Sequence, residues 1–379
     1  MCSPIPKATS SARSRPSDVT LDLDRAAPEL TAALCDIPSV SGDESTLADA
    51  VEAALRGCSH LRVDRDGDTV VARTDLGRVE RVIVAGHLDT VPIAANLPTR
   101  RDGDILWGRG TADMKAGVAV ALRLAAHVTE PARDVTYVFY DHEEVEAARS
   151  GLGRVARHHP DWLAADFAVL MEPTSAQVEG GCNGTARVDV TVRGVAAHSA
   201  RWWKGRNAVH AAGEILDRLR SYAPAEVEVD GLVYREGMNA VGIRGGIAGN
   251  VIPDSCVVTV NYRFAPSRTE AEAEAHVREL FGGFEVAVTD ISPGARPGLD
   301  HPVAAAFVAA VDAEPMPKYG WTDVARFSSL GVPAVNYGPG DSGLAHADDE
   351  RVDVREIQRC EDRMRAWLSS AEPPPPRIA

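Results

Sequence analysis

The sequence lacks the features that would point to membranes, nucleic acids or secretion. It contains no run of about 18 apolar residues, the length a helix needs to span a bilayer. It has no excess of positive charge: 55 acidic against 40 basic residues leave a net charge of −15. That balance disfavours nucleic acid and anionic lipid surfaces as partners. A small anionic ligand is still allowed, because a few local arginines can outweigh the global sign. The six cysteines are scattered and form no CxxC pair. A chain this long needs no disulfide staples, so they read as reduced thiols and the expected location is the cytoplasm. No apolar segment of a secretory signal stands near the amino end. Residues 1–19, rich in Ser, Pro and Arg, are expected to be a disordered lead-in, and the proline-rich 371–379 a flexible tail. No internal repeat is present.

What the sequence does have is an ordinary globular composition, 45% apolar and 25% charged, over 379 residues. That length suggests about two domains. Residues 20–57 read as helix, loop, helix, with Asp43 or Ser45 placed to cap the second. "RVIVAGHLD" is a continuous apolar run, the pattern of a strand covered on both faces. "MKAGVAVALRLAAHV" is small and apolar at helical spacing, as expected of a buried helix close to a sheet. "DVTYVFYDHEE" and "DFAVLMEPT" repeat the theme of apolar strand followed by acid. Strands alternating with helices predict an α/β domain with a largely parallel, mixed sheet over 20–183 and 296–370. After Gly184 the pattern changes. In "TARVDVTVRG" and "CVVTVNYRF" apolar and polar residues alternate, the sign of a sheet with one wet face. Residues 184–295 are therefore expected to be an inserted α+β domain with an antiparallel sheet.

The chemistry-bearing residues sit where these segments end: His87 and Asp89, then Asp113, then Glu143 and Glu144, then Glu172, with His346 later in "GLAHADDE". Open α/β sheets bind ligands at the carboxyl ends of their strands, so residues far apart in sequence can converge there. Carboxylates so crowded would repel each other unless something cationic joined them. A divalent metal held by His and carboxylate donors is the economical answer. Taken singly, each signal has an ordinary reading: polar decoration of a strand end, acids at a helix start, a turn, a surface histidine. The set in its order is what carries weight.

That set resembles the co-catalytic di-zinc amidohydrolases of the aminoacylase, acetylornithine deacetylase and carboxypeptidase group. The motifs stand here as "GHLDTVP", "LWGRGTADMKAG", "DHEE", "MEPT" and "AHADDE". Within the group, "KYGWTDVARF" and "VNYGPGD" are most similar to the actinobacterial succinyl-diaminopimelate desuccinylase branch. "ARVDVTVRGVAAHSARWWKGRNAVH", "GGIAGNVIPD" and "VNYRFAP" support the match more loosely.

The resemblance implies two Zn²⁺ per subunit, with Co²⁺ as a substitute. One ion would take His87, Asp113 and Glu172. The other would take Asp113, Glu144 and His346, with Asp113 shared. It also implies that Asp89 orients His87, that Glu143 is the general base for a hydroxide shared by the two ions, and that the Asp113–Met114 peptide is cis. His198 would donate to the oxyanion from the partner subunit, so a homodimer formed through the inserted lid and dimerisation domain is implied. Arg263, Asn250, Thr322 and Arg326 would grip a small anionic N-acyl amino acid. An exposed salt bridge is the ordinary alternative for Arg326. Trp202 and Trp203 fit either a lid or interface packing.

The implied reaction is removal of succinate from N-succinyl-LL-2,6-diaminopimelate, in diaminopimelate and lysine biosynthesis. Another N-acyl amino acid deacylase, such as an acetylornithine deacetylase, or a metallocarboxypeptidase of the same fold is the alternative. A non-enzymatic dimeric binding protein on this scaffold is a remote one. Two departures stand out. His142 precedes the paired glutamates where many relatives have an acid. Cys182 and Asn183 stand where many have arginines.

Overall fold

The computed structural model describes residues 19–370. The lead-in expected at 1–19, all but its last residue, and the tail expected at 371–379 lie outside the described residues. The larger of two main sheets has eight strands in the order Arg62–Asp66, Thr69–Arg73, Asp134–Tyr140, Arg81–His87, Phe167–Leu170, Ala334–Asn336, Val178–Gly180 and Pro315–Pro317. The four from Asp134–Tyr140 to Ala334–Asn336 are mutually parallel. Antiparallel pairing at Thr69–Arg73 and Val178–Gly180 makes the sheet mixed.

The continuous apolar runs are explained by cover on both faces. Val82 and Val84 pack into one core with residues of the helices Ala27–Cys35, Ser45–Arg56, Lys115–His127 and Val354–Ser369. The alternate residues Ile83 and Ala85 pack into another with Leu152, Val155, Val324 and Phe327. The small residues of Lys115–His127 let it lie close to the strand ends. A Cβ on Gly117 would stand 2.0 Å from the carbonyl oxygen of Met171, so no other residue fits there.

One capping expectation is corrected. Neither Asp43 nor Ser45 caps the helix Ser45–Arg56; the cap position is Glu44, without a side-chain cap bond. The Glu44 carboxylate is fully buried and serves the loops instead. It accepts the Gly42 N–H at 2.9 Å and the His142 N–H at 3.2 Å.

The second sheet is antiparallel, in the order Gly237–Gly245, Ser255–Phe264, Gly184–Arg193 and Glu285–Ser292. Val188, Val190, Val258 and Val260 face a core shared with Ile215, Ala273 and Val277 of the helices Gly213–Ser221 and Glu270–Leu280. The alternate residues face away from that core. The edge strand Gly237–Gly245 and the hairpin Glu226–Val229 with Leu232–Arg235 were not legible as strands. "GMNAVGIRG" is glycine-rich and mostly exposed, so burial imposes no period-two pattern on it; pairing with Ser255–Phe264 makes it a strand. The chain crosses between the two sheets twice, and Cys182 and Ala295 bridge the crossings through mutual backbone hydrogen bonds of 2.9 and 3.0 Å. No helix among the described residues is long and apolar enough to cross a membrane.

Candidate active site

Because the central strands are parallel, their carboxyl ends lie on one edge, and loops from that edge bring the acidic and histidine residues together. His87 ends its own strand; Glu143 and Glu144 follow Asp134–Tyr140, and Glu172 follows Phe167–Leu170. Asp113 precedes the helix Lys115–His127, and His346 follows Ala334–Asn336 at a left-handed φ of 64°. The Asp113–Met114 peptide is cis.

Asp113 stands at the centre. Its Oδ1 is 3.2 Å from His87 Nε2 and its Oδ2 is 3.5 Å from His346 Nε2. The same His346 nitrogen lies 2.9 Å from Glu144 Oε2. Donor atoms of His87, Asp113 and Glu172 lie within 4.8 Å of one another, as do those of Asp113, Glu144 and His346. A third group of the same span is His87, Glu143 and Glu144.

The electrostatics are those of an anion cluster. Burial raises Glu172 to about 7, reinforced by Asp113 and Glu144. Burial also pushes Glu143 well above the usual carboxylate range, with Glu172 and Glu144 adding to it against His87. Burial opposes the charged form of His87, but Asp113, Asp89 and Glu143 outweigh it and hold the ring well above its usual value. His346 is raised to about 10 by its contacts with Asp113 and Glu144. Glu172 Oε1 is buried with no hydrogen-bond partner. An orphaned carboxylate oxygen on a residue grouped with the His87 imidazole and the Asp113 carboxylate fits a divalent cation, which supplies the missing charge and the missing partner.

Asp89 acts through different atoms from those expected. Its backbone carbonyl, not its carboxylate, takes His87 Nδ1 at 3.0 Å; the carboxylate oxygen is 3.6 Å away. The carboxylate instead accepts the backbone N–H groups of Glu143 and Glu144, each at 3.0 Å, and the Ser41 hydroxyl at 2.6 Å. Asp89 thus fixes the glutamate turn with its side chain and the histidine ring with its main chain. His142 sits behind that turn, 2.7 Å from Asp141 and 3.4 Å from Glu44, outside the three donor groups.

Sequence reasoning missed the residues that hold Asp113 from behind. Glu350 is buried; its Oε1 accepts the N–H groups of Ala112 at 3.0 Å and Asp113 at 3.1 Å, and its Oε2 pairs with buried Arg109 at 2.7 Å. The signal was there, as the last acid of "AHADDE", but it reads as one more surface charge. Lys318, inside "KYGWTDVARF", is buried against Glu179 at 2.7 Å.

A cavity of about 520 Å³ opens onto the cluster. Asp113, Glu143, Glu144, Glu172 and His346 line it from the catalytic edge, and Arg263, Thr322 and Arg326 from elsewhere. Arg263 donates from Nε to Asn261 at 3.1 Å. The Thr322 hydroxyl is engaged with Asn336 at 3.0 Å. Arg326 does form an i,i+3 ion pair, with Asp323 at 2.7 Å, while still lining the cavity. The other two expected residues are not brought there within one chain. His198 and Asn250 are neighbours on the exposed end of the antiparallel region, where the Asn250 carbonyl accepts the Ser199 N–H at 2.9 Å. Trp202 and Trp203, 69% and 64% exposed, stand beside them.

Residues 83–370 match the sequence pattern of peptidase family M20/M25/M40. The chain belongs to that family. Over 351 residues it is 46% identical to a succinyl-diaminopimelate desuccinylase of Corynebacterium glutamicum, covering 90% of this chain and 95% of that protein. Over 343 residues it is 55% identical to a Mycobacterium tuberculosis protein provisionally named for the same activity, covering 90% and 97%. The fold is similar to that of a Staphylococcus aureus tripeptidase, with a TM-score of 0.75, 20% identity, and 92% and 98% of the two chains covered. It is also similar to a Bacillus subtilis protein described as a dinuclear metal-binding peptidase of the M20 family, at a TM-score of 0.66, 16% identity and coverage of 90% and 96%. The sheet architecture of this M20 member is the α/β plus α+β arrangement expected from sequence.

Proposed function

We propose that this M20-family protein is a metal-dependent amidohydrolase that removes succinate from N-succinyl-LL-2,6-diaminopimelate. The observation that carries the reading is the pair of three-residue donor groups sharing Asp113 at the floor of a cavity that also holds Arg263. The two desuccinylase relatives, aligned over 90% of the chain, support the choice of substrate.

His87, Asp113 and Glu172 would hold one ion, and Asp113, Glu144 and His346 the other. Their nitrogen and oxygen donors suit Zn²⁺, with Co²⁺ as a substitute. Divalent metal, when bound, lowers the pKa of water and polarises the scissile carbonyl. Glu143, buried beside the donors, accepts the proton of the attacking water and returns it to the departing amine. Asp89 keeps Glu143 in place through the backbone. Arg263 receives a substrate carboxylate.

We read 20–183 and 296–370 as the catalytic domain and 184–295 as an inserted lid and dimerisation domain. In this reading the protein is a cytoplasmic homodimer, and His198 of the partner subunit supplies an oxyanion donor. The exposed edge strand with Val241, Ile243 and the nearby Ile247 offers an apolar surface for such pairing. Mixed Glu143→Ala and His198→Ala dimers would regain partial activity if His198 acts across the interface, and none if it acts within its own chain.

The deciding experiment is a substrate panel with purified protein, with and without added zinc. N-succinyl-LL-2,6-diaminopimelate should be the fastest substrate, and chelation should abolish turnover. Faster cleavage of N-acetylornithine or of dipeptides would replace the desuccinylase reading with another M20 activity.

A further inference from the structure

The antiparallel sheet turns its wet face to the cavity, and six side chains from three strands form a grid there. One row is Arg263, Thr185 and Ser292; the other is Asn261, Arg187 and Asp290. The first row lies at the chain crossings. The second is one two-residue step, about 6–7 Å, farther out. Asn261 ties the rows together, accepting from Arg263 Nε at 3.1 Å and donating to Thr185 Oγ1 at 3.2 Å.

The rows differ in sign. The first has one cation and two hydroxyls, the composition that suits a lone carboxylate. The second sets a cation directly opposite an anion. Yet Arg187 and Asp290 form no ion pair within 4 Å, with each other or with any other described residue, and neither side chain has a hydrogen bond among the described residues. Two opposite charges held apart on one wall are complementary to a ligand that carries both.

A β-bulge creates the juxtaposition. Val288 pairs with Val188, but the next pair is Asp290 with Arg187, skipping Thr289. Uninterrupted pairing would set Thr289 opposite Arg187 and turn Asp290 to the core face. Thr289 is instead tied off to the Arg187 carbonyl at 3.0 Å. The two departures noted in the sequence do not compete for this role. Cys182 and Asn183 are buried, with the Asn183 amide bound to the Arg235 carbonyl at 2.9 Å, and neither lines the cavity.

We propose that the outer row is the receptor for the unreacted amino-acid end of the substrate, with Arg187 taking its carboxylate and Asp290 its ammonium. The inference rests on the desuccinylase reading and deepens it. It makes the far end of diaminopimelate, and not only the succinyl end, a determinant of specificity.

The test compares kcat/KM for three substrates. N-succinyl-LL-2,6-diaminopimelate is complete; N-succinyl-L-2-aminopimelate lacks only the far ammonium; N-succinyl-L-lysine lacks only the far carboxylate. Asp290→Asn should lower the preference for the complete substrate over the aminopimelate analogue by about 10–100-fold, and Arg187→Gln its preference over the lysine analogue by a similar factor. Both side chains are at least partly exposed, so neither change threatens folding. Unchanged preference ratios in both variants, even with lower absolute rates, would overturn the receptor and leave the desuccinylase standing. A ratio that moves in only one variant would overturn the two-point arrangement. A wild type that cleaves none of the three would overturn the desuccinylase reading, and the receptor with it.

Discussion

Asp113 and Arg187 line the same cavity from different sheets and are held in opposite ways. Asp113 is gripped from every side: Glu350 takes its backbone N–H, His87 and His346 approach its two carboxylate oxygens, and Arg109 neutralises Glu350 behind it. Arg187 is exposed, and its side chain meets no carboxylate within 4 Å among the described residues. The first arrangement suits chemistry, where donors must sit in place before the reaction begins. The second suits recognition, where the ligand itself completes the pairing.

The largest expected effect tests whether the gripped wall separates chemistry from metal holding. Glu143→Ala should cut kcat by about 10²–10⁴-fold while metal content by elemental analysis stays at the wild-type level. Loss of metal along with activity would assign Glu143 to the third donor group, with His87 and Glu144, and erase the distinction between base and ligand.

Glu350→Gln asks how much of the grip comes from behind. The change leaves Arg109 buried without its counter-charge, a loss of about 3–5 kcal/mol for a broken buried pair. It also loosens the Ala112–Asp113 backbone. Zinc affinity measured by competition with a chelator should fall by about 10–100-fold, together with Tm. A lower Tm with unchanged zinc affinity would make Glu350 a stability residue only.

Asp89→Asn should be milder, because the Asp89 carbonyl that holds His87 Nδ1 is untouched. An amide can still accept one of the two N–H groups of Glu143 and Glu144 but must turn a donor toward the other. Activity should fall by about 10–100-fold with the metal site retained. Equal loss of zinc and activity would mean that the carboxylate supports His87 after all.

The two walls also differed in how far they could be read in advance. His87, Asp113, Glu144, Glu172 and His346 were legible because each follows or flanks an apolar run and carries a residue type out of place in a core. Glu350 and Glu44 were not, since each is an acid among acids, and only burial separates it from a surface charge. On the other sheet Val188 and Val190 announced the buried face, and Arg187 was visible as part of the wet one. What it faces was not visible, because the bulge at Thr289 shifts the register and brings in Asp290. His198 and Asn250 illustrate a further limit. Their motif is local, but any part they play in the cavity depends on a second chain, and within one chain they stand apart from it.

The smallest effect comes from the far edge of the same parallel strands. Asp134 begins the strand that Glu143 and Glu144 follow, at the end away from the cavity. Its carboxylate accepts from the Thr74 hydroxyl at 2.8 Å, the Leu76 N–H at 2.8 Å and the Arg78 N–H at 2.9 Å. Burial raises its pKa, but these bonds to the charged form outweigh that and hold it below the usual value. A carboxylate whose folded pKa is depressed adds stability above its unfolded pKa, near 4, and loses it as pH falls through the folded value. Asp134→Asn should therefore cost about 1–2 kcal/mol near neutrality, and the gap in Tm should close below about pH 3. The variant's kcat/KM should match that of the wild type at a temperature where both are folded. If activity fell with stability, the two edges of the sheet would be coupled, and the grip on the cluster would extend through the strands as well as through the loops behind it.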